Sequence, residues 1–145
     1  MSKDVLICGS IAFDTIAVFE GRFRDHILAD NIKSLSVSFF APSLRKEYGG
    51  CAGNIAYSLK QLGGDPLPMA TLGSDGAGYV ARLTELGIAT DFVLTLDDAY
   101  TAQAMIITDR DNNQINGFHP GAMERAHLNR IEARHDVKLG IIAPD

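Results

Sequence analysis

The stretch from residue 48 to residue 64 constrains this chain most, because two glycine pairs enclose a helical pattern there. It reads YGGCAGNIAYSLKQLGG. Its apolar residues recur at the spacing of one helix face, and Gly63, which lacks a Cβ, is expected to end the helix in a left-handed conformation. The apolar face comprises Ala52, Ile55, Ala56, Leu59 and Leu62.

The start of this predicted helix has the features of a binding site. Gly49, Gly50 and Gly53 leave bare backbone where the first N–H groups lack intrahelical partners and the helix dipole is positive. Asn54 adds a side-chain amide that donates and accepts hydrogen bonds. Such a site suits a small ligand that is rich in hydroxyls or negatively charged. The alternative is a tight strand-to-helix turn whose glycines serve only the backbone.

Composition indicates one globular domain and excludes several classes of partner. The chain has 145 residues, 46% of them hydrophobic and 21% charged, which is enough for one domain with a core. Its net charge is −5 and it has no basic run, so nucleic acid is not an expected partner. No apolar run approaches the ~18 residues of a membrane span, so we expect no membrane partner. The two cysteines, Cys8 and Cys51, are typical of free thiols in a reducing cytosol, so we expect a cytoplasmic protein. Cys8 and Cys51 match no metal-binding spacing, and we predict no metal site.

Buried strands alternate with helices along most of the chain. This alternation predicts an α/β fold in which helices cover both faces of a parallel sheet. The predicted strands are residues 5–9, 66–72, 91–96 and 139–143, and the predicted helices are residues 52–62, 79–86 and, with weaker periodicity, 123–135.

Two segments do not follow this alternation of buried strands and helices. Residues 35–39 alternate between polar and apolar and predict an exposed strand, and residues 101–118 read as a hairpin around a polar turn. We expect residues of about 14–48 and about 101–118 to form a small, mobile β-sheet beside the main one.

Asp14 is a candidate ligand-binding residue because of its position. It follows the first predicted strand, and open α/β sheets bind their ligands beyond the carboxyl ends of their strands. Its apolar neighbours mean that the carboxylate needs a partner. An Asp that only caps its own turn is the alternative.

These patterns together resemble the ribokinase and adenosine kinase group, the PfkB carbohydrate kinases. The stretch GGCAGNIA at residues 49–56 resembles the family's N-terminal signature, and GSDGAG at residues 73–78 resembles its Gly-x-Asp-x-x-Gly loop. The resemblance covers essentially the whole chain. Further matches in the same order are Gly9-Ser10 with Asp14, Thr101-Ala102, the turn at residues 111–113 and the stretch PGAM at residues 120–123.

The resemblance implies a ribokinase-like three-layer α/β sandwich with a small β-sheet lid that closes over the substrate. In that family ATP phosphorylates a primary hydroxyl of a sugar or nucleoside, and the matches favour an adenosine-like substrate slightly over a ribose-like one. A carboxylate and an amide suit vicinal hydroxyls, and a site that pairs with hydroxyls rejects analogues lacking them. The residues implied to bind hydroxyls are Asp14, Gly49, Gly50 and Asn54, and weaker candidates for packing on the substrate are Phe13 and Phe118.

One departure from the family pattern limits what this chain could do. The family's second signature, a glycine-rich loop that carries the catalytic Asp, does not occur in the sequence. We therefore expect the N-terminal part of a kinase, truncated at its C-terminus and inactive alone. ATP and Mg²⁺ would be bound mainly by the missing half. The exposed lid strands could pair two copies of the chain across a two-fold axis.

Two other functions compete with this interpretation. A non-catalytic module could bind a small sugar or nucleotide at the same helix start. A dinucleotide-binding oxidoreductase is disfavoured, because the first strand leads to Gly9-Ser10-Ile11 and not to a G-x-G-x-x-G turn that opens a helix. Gene sequence downstream of Asp145 would separate the kinase from the module.

Overall fold

The computed structural model describes residues 4–27, 35–132 and 137–145. These residues form two compact units: residues 4–13, 48–103, 119–132 and 137–145 in the first, and residues 14–27, 35–47 and 104–118 in the second. In chain order the elements are β1 (Asp4–Cys8), β2 (Ala12–Val18), β3 (Ser43–Gly49), α1 (Cys51–Gln61), β4 (Asp65–Gly73), α2 (Ala77–Glu85), β5 (Val93–Leu96), β6 (Ala102–Thr108), β7 (Gln114–His119) and β8 (Leu139–Ile142).

A parallel sheet forms the centre of the first unit. Its strand order is β5–β4–β1–β8, and each neighbouring pair is parallel. All four strands lie within two residues of the apolar runs that predicted them, so the α/β fold is confirmed. The helix predicted at residues 123–135 is found in part: Gly121–Leu128 is a 3₁₀ helix with a kink at Arg125, residues 129–132 are not helical, and residues 133–135 lie outside the described residues.

Two prolines lie in β4 although this strand has neighbours on both sides. Pro66 and Pro68 are opposite Val5 and Ile7 of β1, whereas β5 pairs only with residues 70–73. Alternate residues of a strand direct their N–H groups to the same side, and the Ala70 N–H donates towards Phe92. The prolines therefore lie on the side where β5 has not yet begun, so no ladder hydrogen bond is lost.

The core of the first unit lies between α1, α2 and the sheet. Ile7 of β1, Leu72 of β4 and Ala52 and Ala56 of α1 are completely buried, and Leu83 of α2 completes the same cluster. The predicted apolar face of α1 is correct except at Leu62, which is 85% exposed because the helix ends before it. Among the described residues, no helix is long and apolar enough to cross a membrane.

A second sheet, with strand order β3–β2–β6–β7, supplies the strands of the second unit. The strand predicted at residues 35–39 is wrong, because residues 35–40 form no regular structure and the strand is β3 instead. The ring of Phe39 packs against Phe19 and Phe23, with both pairs of ring centroids 4.9 Å apart. Phe39 thus packs in an aromatic cluster outside any strand, whereas Leu35 is 52% exposed.

The turn between β6 and β7 is organised by Asp109. This side chain is 3% exposed and accepts hydrogen bonds from the N–H groups of Phe23, Asp111 and Asn113. Burial by itself raises the pKa of Asp109, but these hydrogen bonds favour the ionised form and hold the pKa below its usual range. The polar turn that the sequence predicted is therefore a structural element built on a buried carboxylate.

Candidate functional site

The N-terminus of α1 is capped by Ser10, which follows β1. The Ser10 hydroxyl accepts a hydrogen bond from the Cys51 N–H at 3.1 Å, and the Ser10 carbonyl accepts one from the Ala52 N–H at 2.9 Å. Two N–H groups that would otherwise lack partners are thus satisfied within the protein. The expectation of a bare helix start is wrong, because a residue far away in sequence provides the cap.

Gly50 is required by the backbone that surrounds it. Its φ of 90° lies in the region that favours glycine. A Cβ at this position would lie 2.5 Å from the Ser10 carbonyl oxygen and 2.6 Å from the Ile11 Cα. The turn before α1 therefore closes only with glycine, independently of any ligand.

Tyr79 of α2 reaches the same turn from the other side. Its hydroxyl donates a hydrogen bond to the Gly49 carbonyl at 2.8 Å, and the side chain is 3% exposed. A Cβ on Gly53 would overlap the Tyr79 hydroxyl. Gly53 is therefore glycine because it makes room for this contact.

Phe13 belongs to an aromatic cluster that supports the turn. Its ring centroid lies 5.7 Å from that of Tyr79 and 6.0 Å from that of Tyr48. Tyr48 and Tyr79 meet edge to face at 5.1 Å. Because Phe13 is only 4% exposed, most of its ring packs within the protein.

Asn54 lies exposed in the first turn of α1. Its backbone N–H donates to the Gly50 carbonyl at 3.0 Å, which places the residue at the beginning of the helical hydrogen-bond pattern. Asn54 also lines a shallow groove of about 360 Å³, whose other lining residues are Ile55, Ser58, Leu59, Leu62 and Ile141. The structure thus places Phe13, Gly49, Gly50 and Asn54 around one helix start in the first unit.

Asp14 and Phe118 belong to the second unit. Asp14 is partly buried in β2; burial, followed by the negative charge of Glu47, raises the pKa of its carboxyl group. Phe118 lies near the end of β7 with 58% of its surface exposed. Asp14 is therefore a carboxylate whose ionised form the surrounding protein disfavours.

A larger cavity of about 590 Å³ contains none of the six predicted site residues. It lies in the first unit, between the sheet and residues 128–132, and its lining includes Leu6, Met69, Phe92 and Ile141. In the part of the chain that the structure describes, no group of three His, Cys, Asp or Glu side chains could hold a metal ion.

The Gly-x-Asp-x-x-Gly loop has a structural function in the first unit. Asp75 accepts a hydrogen bond from the Thr101 N–H at 2.7 Å, and the Thr101 hydroxyl accepts one from the Gly73 N–H at 3.0 Å. A Cβ on Gly73 would overlap the backbone at residues 100–101. The loop therefore fixes the beginning of β6.

The family model described as pfkB family carbohydrate kinase matches residues 6–138. The chain belongs to this family. The match spans both units and includes all six residues predicted for the site. Both the curated proteins and the solved structures that this chain resembles include kinases, in agreement with the family match.

A nucleoside kinase of Burkholderia thailandensis, solved in complex with inosine, is 54% identical to this chain, with a TM-score of 0.80. The match covers 97% of this chain and 44% of the length of that kinase. The nucleoside kinase of Methanocaldococcus jannaschii, described as an archaeal member of the ribokinase family, is 28% identical over 98% of this chain and 44% of its own, also with a TM-score of 0.80. A nucleoside kinase of Methanothermobacter thermautotrophicus is 30% identical over 83% of this chain and 36% of its own length. The chain thus spans less than half the length of these relatives.

Proposed function

We propose that this chain binds the nucleoside substrate of a kinase that transfers a phosphoryl group from ATP to a primary hydroxyl. The observation that carries the proposal is the 54% identity with a nucleoside kinase solved in complex with inosine. A nucleoside is favoured over a free sugar because the ribokinase relatives, at 24% identity or less, support only the fold.

The proposed binding groups differ in chemistry. Asp14, when ionised, accepts hydrogen bonds from two vicinal ribose hydroxyls, and the Asn54 amide donates and accepts. The Gly49–Gly50 backbone contacts the substrate where a side chain would obstruct it, and the exposed ring of Phe118 packs on the substrate. Phe13 contributes through the cluster that supports the glycine turn.

Phosphoryl transfer needs groups that we place outside residues 1–145. The reaction requires an aligned acceptor hydroxyl, a base beside it and groups that stabilise the charge on the transferred phosphoryl. The residues proposed above provide only the alignment. We propose that the base and most contacts with ATP and Mg²⁺ come from sequence that the relatives contain beyond the region matched here.

Pairing of two copies through the second unit is a further proposal. β3 and β7 are the outer strands of their sheet, and every residue of β7 is exposed. Outer strands leave backbone groups available to another strand. Sedimentation at increasing protein concentration would test this pairing, and a monomer throughout would contradict it.

Calorimetric titration of the full-length protein with inosine, adenosine and ribose tests the proposed substrate. We expect the nucleosides to bind more tightly than ribose, and Asp14→Asn and Asn54→Ala each to weaken nucleoside binding at least about tenfold, as expected for hydrogen bonds to charged or buried polar groups. Glu20→Gln is the matched control for Asp14→Asn, because Glu20 is an exposed carboxylate in the same unit. Gln61→Ala is the matched control for Asn54→Ala, because Gln61 is an exposed amide on the same helix. Unchanged nucleoside affinity in both test variants would refute the site.

A further inference from the structure

Tyr79 is a buried hydroxyl that the proposed function does not yet use. It lies on α2, 30 residues away from its hydrogen-bond acceptor Gly49, and its side chain is 3% exposed. A buried hydroxyl needs a hydrogen-bond partner. Tyr79 bonds to one of the two glycines proposed to contact the substrate.

The contact fixes the direction of one peptide group. In a trans peptide the carbonyl and the following N–H point in opposite directions. Because Tyr79 holds the Gly49 carbonyl at 2.8 Å, the Gly50 N–H lies on the opposite side of that peptide from the Tyr79 hydroxyl. Gly49 is the last residue of β3, and glycine has more backbone freedom than other residues, so Tyr79 adds a restraint at the position where the strand ends.

Several neighbours leave Tyr79 little freedom to move. Its ring packs against Phe13 and Tyr48, and the absence of a Cβ at Gly53 gives its hydroxyl the space to reach Gly49. On the other side of the turn, Ser10 holds the Cys51 N–H. The Gly49–Gly50 segment is thus fixed at both ends by side chains that are distant in sequence.

We propose that Tyr79 is a positioning residue that orients the Gly49–Gly50 peptide for nucleoside binding. The inference rests on the proposed function and adds a residue on α2 to the groups that determine substrate affinity. Tyr79 acts through Gly49 and has no contact with the substrate itself. Its removal should therefore weaken nucleoside binding and leave ATP binding unaffected.

The test compares full-length wild type with Tyr79→Phe and Tyr57→Phe. Tyr79→Phe removes one hydroxyl and retains the ring packing, whereas Tyr57 is a half-exposed tyrosine on α1 and provides the matched control. We expect Tyr79→Phe to raise the nucleoside Kd about threefold to tenfold, consistent with loss of one buried hydrogen bond. The ATP Kd should be unchanged, and Tyr57→Phe should leave both values unchanged.

The outcomes separate this inference from the proposed function. A wild-type protein that binds no nucleoside or sugar refutes the proposed function and, with it, the role of Tyr79 in binding. A wild-type protein that binds nucleoside, together with a Tyr79→Phe variant of equal affinity and lower Tm, refutes only the positioning role. Amide NMR gives a second readout: the Gly50 N–H signal should shift in Tyr79→Phe, and an unchanged signal would overturn the orientation step.

Discussion

Asp14 has a charge that the folded chain accommodates poorly. Burial and the nearby negative charge of Glu47 both raise the pKa of its carboxyl group. Because the folded state then retains a proton more strongly than the unfolded state, stability falls as pH rises through the interval between the ordinary pKa and the raised one. A residue that reduces the stability of the fold is often retained for function, since activity and stability can conflict.

We therefore expect Asp14→Asn to raise Tm at neutral pH while it weakens nucleoside binding. The gain should disappear at acidic pH, where Asp14 of the wild type is protonated and uncharged. Thermal melts across this pH range, with Glu20→Gln as the control for loss of an exposed carboxylate, measure the effect. A Tm for Asp14→Asn that is lower than that of wild type at neutral pH would contradict it.

At the same scale, the sequence identified residue types better than it identified their partners. The sequence identified Gly49, Gly50, Gly53 and Asn54 as features of a helix start, because a residue at a helix start acts on the backbone within one turn of its own position. Ser10 and Tyr79 were not identified as partners, since they lie 41 and 30 residues from the groups they bind. Contacts of that range depend on how α1 and α2 pack against the sheet, which local periodicity does not specify.

The two ends of α1 depend on glycine to different degrees. Gly50 combines φ = 90° with close approach of the Ser10 carbonyl, whereas Gly63 has φ = 79° and open space around it. Gly78, in the first turn of α2, also has open space but an ordinary φ. Comparison of the three glycines thus separates two reasons for glycine: the lack of space for a Cβ and a positive φ.

Alanine substitutions at these glycines should have three different effects on the free energy of unfolding. Gly50→Ala should lower it by more than about 2 kcal/mol, because steric overlap adds to an unfavourable φ. Gly63→Ala should lower it by about 1 kcal/mol from φ alone, and Gly78→Ala should raise it by up to about 1 kcal/mol. Denaturant titration measures all three, and a Gly50→Ala variant as stable as wild type would show that the turn can rearrange.

Element positions were predictable where burial determines them. The parallel strands of the first unit are buried on the sheet, so their apolar runs identify them. β3 is different: six of its seven residues are exposed, and its sequence SLRKEYG has no regular apolar pattern. β3 pairs with β2, and its exposed side chains leave no apolar run by which the sequence could identify it.

The same contrast predicts different rates of amide exchange. β3 and β7 are outer strands with exposed side chains, whereas β1 and β4 lie at the centre of their sheet beside the completely buried Ile7 and Leu72. Local opening costs less free energy where few buried contacts must be broken. We expect amides of β3 and β7 to exchange faster than those of β1, β4 and residues 55–61. Equal protection in all these elements, measured by hydrogen exchange, would contradict a mobile lid.

At the scale of the whole molecule, the parallel sheet ends in an outer strand that carries exposed apolar side chains. β8 is the outer strand next to β1, and Ile142 and Leu139 in it are 83% and 57% exposed. Exposed apolar side chains beside unpaired strand groups favour association. Residues 1–145 in isolation should therefore associate or aggregate as protein concentration rises, which light scattering would detect.

Residues 1–145 in isolation should also not phosphorylate a nucleoside. The sequence provides groups suited to hydroxyls, but no second glycine-rich loop with a catalytic Asp and no phosphate-binding G-x-x-x-x-G-K motif. Alignment without a base or charge stabilisation leaves most of the barrier to phosphoryl transfer in place. The assay mixes residues 1–145 with ATP, Mg²⁺ and inosine or adenosine, and uses the full-length nucleoside kinase of Burkholderia thailandensis as the positive control. Turnover comparable to that of the control would mean that a catalytic base lies within these 145 residues.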